Sequence, residues 1–335
     1  MTSTAHKPPY LPPITLNTHI LNVVAKISEL VGRMSALSEK ALSPKLRRIN
    51  RIRSIQASLA IENNTLSIDE VTAVLDGKMV IALPREIQEV HNAFATYEKM
   101  DSFKPYSRTD LLKAHALLMA GLVEEPGCFR HGGVGVYRGK TLVHMAPPAS
   151  RVPHLIDQLL DWLKKTDLHP LIASSIFHYE FEFIHPFPDG NGRMGRLWQT
   201  LILAKWQAQF AYLPIENLIL KNQQAYYKAL GASNEASSST PFVEFILTII
   251  HDTLKAELLQ NKAEGSPKSS LESSPKTEDR ILGILQKDPL LSTEKIAKIL
   301  GISKRAVLKQ IAKLKTQGRL NRIGASKGGR WQVIF

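Results

Sequence analysis

The stretch from Ile184 to Arg196, IHPFPDGNGRMGR, constrains this chain more than any other. It holds a His, an Asp, an Asn, three glycines and two arginines, flanked by SIFHYEFEFI and LWQTLILAKW, both apolar and helix-like. Helices that are apolar on nearly every side belong inside a helical bundle. A polar loop joining two of them therefore sits at the end of a buried pair, where its side chains are held rather than solvated. The loop ends in Gly190-Asn191-Gly192 and enters a helix. Backbone N–H groups at a helix N-terminus attract anions, and glycine lets an anion come close to the backbone. Arg193 and Arg196 are three apart and share a face of the first turn. Asp189 is a hard oxygen ligand suited to a Mg²⁺ that keeps most of its waters. His185, on the opposite flank from the arginines, is placed to take a proton from an incoming hydroxyl. Together these groups point to attack by a hydroxyl on a nucleotide phosphate.

The rest of the chain reads mainly α. NTHILNVVAKISELVGRMSAL and RRINRIRSIQASLAIE carry apolar residues at helical spacing, the second stopping at Asn63-Asn64. Ser67 and Glu70 form a capping box that opens SIDEVTAVLDG, and Gly77 ends it. REIQEVHNAFATYEKM, SRTDLLKAHALLMAGL, VPHLIDQLLDWLKK, KNQQAYYKALGASN and PFVEFILTIIHDTLKAELL continue the helical pattern. Residues 127–150 are glycine-rich and β-branched, and the spacing predicts a hairpin of VGVY and TLVHM around Arg138-Gly139-Lys140. Residues 261–277, NKAEGSPKSSLESSPKT, have a linker's composition. From 278 to 335 the pattern is helix-turn-helix plus wing: Ser292 and Ser303 cap two helices, Gly301 makes the turn, and RLNRIG with RWQVIF forms a hairpin. Fourteen Lys/Arg stand against four Asp/Glu from Lys276 onward, so most of the formal charge of +13 lies there. That balance favours an anionic partner. The single cysteine, Cys128, rules out an intrachain disulfide and fits a reducing cytoplasm. The start MTSTAHKPPYLPP lacks a signal-peptide pattern, and no apolar run reads as a membrane span.

The central stretch resembles the Fic family signature, His-x-Phe-x-(Asp/Glu)-Gly-Asn-Gly-Arg-x-x-Arg. His185, Phe187, Asp189, Gly190, Asn191, Gly192, Arg193 and Arg196 match every specified position, and the resemblance spans most of residues 20–255. It implies a Fic-type helical domain with a small β-hairpin flap, and transfer of AMP from ATP to a Ser, Thr or Tyr hydroxyl of a target protein. By the resemblance, His185 is the general base and Asp189 the Mg²⁺ ligand. Asn191 with the amides at Gly190 and Gly192 forms the anion hole, and Arg193 and Arg196 meet the terminal phosphates. Phe187 anchors the loop. Retention of Gly192, where a kinase-like branch has lysine, favours nucleotidyl over phosphoryl transfer. The predicted hairpin resembles the family's flap, with Thr141, Leu142 and Val143 registering the target by strand addition. Tyr227 and Asn234 fall where the family contacts the nucleoside.

SLAIENN resembles the family's inhibitory motif, (Ser/Thr)-x-x-x-Glu-(Gly/Asn), through Ser58, Glu62 and Asn63. The resemblance implies that Glu62 pairs with Arg196 and blocks productive ATP binding. In relatives the same glutamate positions water for removal of AMP, and the sequence does not separate the two directions. The implied organisation is an N-terminal helical region carrying the inhibitory motif (1–120), a Fic catalytic core (121–260), a linker (261–277) and a winged helix-turn-helix (278–335). Two alternatives remain: a DNA-binding regulator that offers Lys304, Arg305, Lys309 and Lys313, or a protein-docking winged helix with a solvated basic face. A homodimer is also left open. A metal-dependent phosphohydrolase at His185 and Asp189 lacks the further His/Asp ligands such sites need.

Overall fold

The computed structural model describes residues 10–41, 44–138, 141–264, 281–282, 284–286, 288–300, 304–323 and 330–333. The chain divides into two compact units, residues 1–263 and 264–335.

In the first unit the helices are α1 (Thr18–Ala41), α2 (Pro44–Ile61), α3 (Ile68–Leu75), α4 (Pro84–Glu98), α5 (Arg108–Leu118), α6 (Val152–Lys165), α7 (Pro170–Ile184), α8 (Asn191–Trp206), α9 (Ile215–Lys221), α10 (Gln223–Ala236) and α11 (Thr240–Glu264). Strands β1 (Gly135–Arg138) and β2 (Thr141–Met145) pair antiparallel, with a bulge between Val136 and Tyr137. The central layer is the α7–α8 pair. Residues 171–181 of α7 are buried without a break, as are residues 193–203 of α8. Such helices have no solvent face, which is why the flanking sequences lack amphipathic alternation. Around this pair α6 packs on α7, α5 and α2 pack on α8, and α4 lies against α2 and α5. The N-terminal helices thus share one core with the motif-bearing helices.

Local chemistry sets the helix ends. Ser67 Oγ accepts from the Glu70 N–H at 3.3 Å while Glu70 Oε2 accepts from the Ser67 N–H at 2.9 Å, the reciprocal cap. α2 stops in a Schellman arrangement: Asn63 is left-handed at φ 70°, its N–H donates to Ala60 O, and the Asn64 N–H donates to Leu59 O. Two sequence expectations shift. α11 runs to Glu264, through the residues expected to open the linker, because NKAE extends the helical register of KAELLQ; residues 265–277 lie outside the described set. The segment expected as one helix around KNQQAYYKALGASN begins earlier, as α9, and is broken at Asn222 before α10.

The second unit contains α12 (Thr293–Leu300), α13 (Lys304–Thr316) and the antiparallel pair β3 (Leu320–Ile323) and β4 (Arg330–Val333), with helical residues at 281–282 and 284–286. Ile281, Leu285, Ile296, Val307, Ile311, Leu314 and Trp331 form its separate core. Ser292 Oγ accepts from the Lys295 N–H and caps α12. Gly301 and Ser303, expected as turn and cap, lie outside the described residues. Val307, Ile311 and Leu314 turn one stripe of α13 inward, leaving Lys304, Arg305, Lys309 and Lys313 exposed; Lys304 pairs with Glu294.

Candidate active site

The loop between α7 and α8 folds as the glycines require. Gly190 caps α8 at φ 84°, a left-handed conformation open to glycine. The first-turn N–H groups of α8 have no intrahelical acceptor, so a positive pole faces the loop. His185 ends α7, itself left-handed at φ 49°. Its ring is largely buried, with Nδ1 3.4 Å from the Glu182 carbonyl oxygen. The strained backbone is held by Arg130, which the sequence reading missed. The buried Arg130 guanidinium donates to the carbonyls of His185 (2.8 Å), Ile184 (3.3 Å), Gly132 (2.8 Å) and Pro147, and its own N–H donates to Pro186 O. It thereby takes up carbonyls left unbonded at the end of α7 and ties them to the base of the hairpin. An arginine beside a glycine-rich stretch carries no sequence signal for such a role.

His115, also unforeseen, fixes the loop from below. Its Nδ1 accepts from the Gly127 N–H at 2.8 Å, so Nε2 carries the proton and donates to Asp189 O at 3.0 Å. Its ring stacks on Phe187 at 3.6 Å between centroids, and burial keeps it neutral, with a pKa pushed down to about 4. Phe187 is fully buried, as its anchoring role requires. Asn191 departs from the expected phosphate ligand. Its Oδ1 accepts from the Phe187 N–H (2.9 Å) and its Nδ2 donates to Phe187 O (2.8 Å). Both ends of the carboxamide brace the loop.

The two arginines are both engaged by acids. Arg193 Nη2 meets Asp189 Oδ1 at 2.9 Å and Nη1 meets Glu89 Oε1 at 3.4 Å. Asp189 Oδ2 is also held by Arg85 at 2.9 Å. Glu89 in turn accepts from Asn64, two residues past Glu62. Arg196, its side chain only 1% exposed, donates from Nε to Ser58 Oγ (3.0 Å) and from Nη2 to Ser58 O (2.9 Å) and Glu62 Oε1 (2.7 Å). Burial works against its charge, but Glu62, then Tyr226 and Glu182, outweigh it and hold the guanidinium above the ordinary arginine range. Glu62 reaches further than the arginine: a Cβ placed on Gly192 would lie 2.3 Å from Glu62 Oε1. The carboxylate therefore lies over the N-terminal turn of α8, where an anion is expected, and a side chain at position 192 would have to displace it. Ser58 and Glu62 act from one face of α2, as their i, i+4 spacing predicts, while Asn63 provides the left-handed turn that ends the helix.

Arg193 Nε and Arg196 Nη1 are buried with no hydrogen-bond partner, an arrangement that fits anionic oxygens arriving between them. For Mg²⁺ the candidate ligand is Asp189, a half-exposed carboxylate whose oxygens are here held by Arg193 and Arg85, and no group of three His, Cys, Asp or Glu stands among the described residues. That fits an ion held mainly by waters and phosphate oxygens, not an all-protein cage. Tyr227, partly exposed on α10, has its phenol pushed upward by burial and by Glu62. Asn234, two turns on, accepts from the Tyr179 hydroxyl at 3.0 Å. α10 lies against β2, the strand bearing Thr141, Leu142 and Val143, whose side chains are outside the described set.

Comparisons with known proteins agree with this layout. A family model described as Fic/DOC family matches residues 105–203, and one described as HTH domain matches residues 277–329. A probable protein adenylyltransferase from Aquifex aeolicus (strain VF5) is 27% identical over 259 residues, covering 69% of this chain and 75% of that protein. The protein adenylyltransferase Fic of Nematostella vectensis is 27% identical over 219 residues, covering 61% of this chain and 48% of its own; the chain spans about half the length of such animal relatives. A crystal structure of a Fic family protein from Desulfovibrio desulfuricans G20 is 47% identical, with a TM-score of 0.74 and coverage of 97% of this chain and 98% of that one. Likeness at that identity, along nearly the whole of both chains, shows that this chain belongs to the Fic family.

Proposed function

We propose that the chain is a protein adenylyltransferase: it transfers AMP from ATP to a Ser, Thr or Tyr hydroxyl of a target protein, and Glu62 restrains it. The observation that carries the reading is the position of the Glu62 carboxylate, on Arg196 and over Gly192 at the N-terminus of α8. An anion from the chain itself occupies ground suited to phosphate. In this reading the target oxygen attacks the α-phosphorus of ATP. A new P–O bond forms, the bond from that phosphorus to the bridging oxygen breaks, and pyrophosphate departs. His185 accepts the hydroxyl proton on Nε2, since Nδ1 faces Glu182. The α8 amides and the two arginines take the phosphate charge. Mg²⁺, held by Asp189, would neutralise part of that charge. An extended target segment adds to the flap, with β2 presenting Thr141, Leu142 and Val143.

Incubation of Glu62→Gly protein with ATP, Mg²⁺ and cell lysate, followed by mass spectrometry, tests this. A mass gain of one AMP on any protein is expected, and His185→Ala should lower transfer by roughly 10²–10⁴-fold. Undiminished labelling by His185→Ala would refute the assigned base. The reverse direction, removal of AMP with Glu62 orienting water, rests on the same carboxylate. It is distinguished by release of AMP from a pre-labelled target by wild type but not by Glu62→Gly.

The exposed basic face of α13 supports a second role, DNA binding by Lys304, Arg305, Lys309 and Lys313. If all four reach phosphates, the log–log salt slope of DNA affinity is about −3.6. Truncation after residue 263 should abolish binding; no binding by the full chain at low salt favours a protein-docking winged helix.

A further inference from the structure

Glu182 lies one turn before His185 on α7, outside the signature, and its side chain is 13% exposed. Its Oε2 is 3.9 Å from His185 Nδ1, and its Oε1 is 3.9 Å from His178 Nε2. Oε1 is buried and accepts no hydrogen bond. His178 supplies it with no proton. Burial pushes the His178 pKa down to about 3, so the ring is neutral; its Nδ1 donates to Gln199 Oε1 at 2.7 Å, which leaves Nε2 to accept from the Tyr226 hydroxyl at 3.1 Å. The groups facing Glu182 are thus His178 and His185 on its own helix, Arg196 on α8, Tyr226 on α10 and, beyond Arg196, Glu62 at the end of α2. Arg196 is already committed to Ser58 and Glu62. The carboxylate thus stands between the Tyr226 hydroxyl, which is within hydrogen-bonding reach of it, and the His185 ring.

We infer that Glu182 is a positioning residue for His185: its backbone carbonyl and its carboxylate together keep the proton on Nδ1 and stabilise the ring when Nε2 becomes protonated. Both groups belong to one residue: the carbonyl, 3.4 Å from Nδ1, sets the tautomer, and the carboxylate, 3.9 Å away and beyond hydrogen-bond reach, offers the counter-charge. Such an orienting group raises a base's proton affinity and lowers the barrier to charging it. The inference deepens the transfer reading and rests on it for its catalytic consequence, but not for its test.

The test uses the full chain in a Glu62→Gly background, with and without Glu182→Gln. The first readout is the NMR titration of His185, assigned by its loss in His185→Ala. Burial holds the Glu182 carboxyl up near 7, so it and His185 titrate together, and its replacement should move the His185 titration downward. Glu182→Asp, which retains the charge, should recover part of that shift. The second readout is the pH profile of transfer. Its acid limb should move down by the same interval, with kcat reduced roughly tenfold and KM for ATP unchanged. An unmoved His185 titration in folded Glu182→Gln protein overturns the inference. Should that variant not fold, the Glu182 carboxyl resonance of the parent decides. It is expected to titrate in two steps, one at the His185 midpoint; a single step away from that midpoint overturns the inference as well. If the titrations behave as expected and no variant transfers AMP, it is the transfer reading that fails.

Discussion

Replacing Glu62 by glutamine keeps the side chain's shape and removes its charge, so it isolates the contact with Arg196. A charge-assisted hydrogen bond to a carboxylate contributes about 1.5–3 kcal/mol when well shielded. Arg196 is buried, but the Glu62 side chain is 35% exposed, and solvent screening moves the figure toward the lower end. The two helix dipoles act oppositely on Glu62: it sits unfavourably at the C-terminal end of α2 and favourably over the N-terminus of α8, each by about 0.3–1 kcal/mol. These offset one another and leave about 1.4 kcal/mol, a tenfold change. Glu62→Gln should therefore raise kcat/KM for ATP about tenfold. Glu62→Gly should do at least as much, because it also clears the space over Gly192. Ser58→Ala should give a smaller rise, since Arg196 keeps its bonds to Ser58 O and Glu62. Initial rates with labelled ATP and calorimetric ATP affinities check this. Rates within twofold of wild type for both Glu62 variants, with unchanged affinity, would refute the idea that this carboxylate restrains the site.

Two further outcomes concern the scaffold. Arg130→Ala leaves at least four carbonyls near His185 without their donor; it should destabilise the first unit by roughly 3 kcal/mol or more and slow transfer, read by thermal melts and initial rates, and a melt unchanged from wild type would sink that assignment. The second is pH dependence. The unfolded chain protonates His178 below about pH 6.5 whereas the fold keeps it neutral to about 3, so that group costs stability as the pH falls through this range. Glu182, its carboxyl raised to about 7 chiefly by burial, runs the other way: its contribution is present in acid and fades as the pH rises from about 4.5 to about 7. The two cancel between about pH 4.5 and 6.5. Glu182→Gln removes one of them, so relative to wild type it should lose about 1.4 kcal/mol per pH unit on acidification across that window; parallel stability curves would contradict it.

Much of the molecule was legible in the residues. Continuous apolarity on both sides of the signature placed α7 and α8 in the core, and the Ser67–Glu70 box opened α3 and the Asn63 turn closed α2 where the sequence indicates. The loop's residue types suggested phosphate chemistry before any resemblance was used. The resemblance implied the Glu62–Arg196 contact, which no spacing along the chain displays. Other residues escaped for particular reasons. Glu182 and His178 stand three and seven residues before His185, a helical spacing that does show in the sequence, yet their burial against Arg196 does not. Arg130 drew no reading from the sequence, and Asn191 looked free to bind phosphate until both ends of its carboxamide met Phe187.

What the sequence determined by itself is what neighbours within about four residues decide: helix periods, caps, left-handed glycines and an N-terminal turn carrying two arginines. Such features follow from backbone hydrogen bonds and sterics that the chain order already brings together. What only the tertiary structure decided is who holds each charge: Glu62 on Arg196 across 134 residues, Arg130 on the carbonyl of His185 across 55, Arg85 on Asp189 across 104. Those pairings arise because burying α7 and α8 removes water from their polar groups, and each must then find its partner in whatever helix the packing brings alongside.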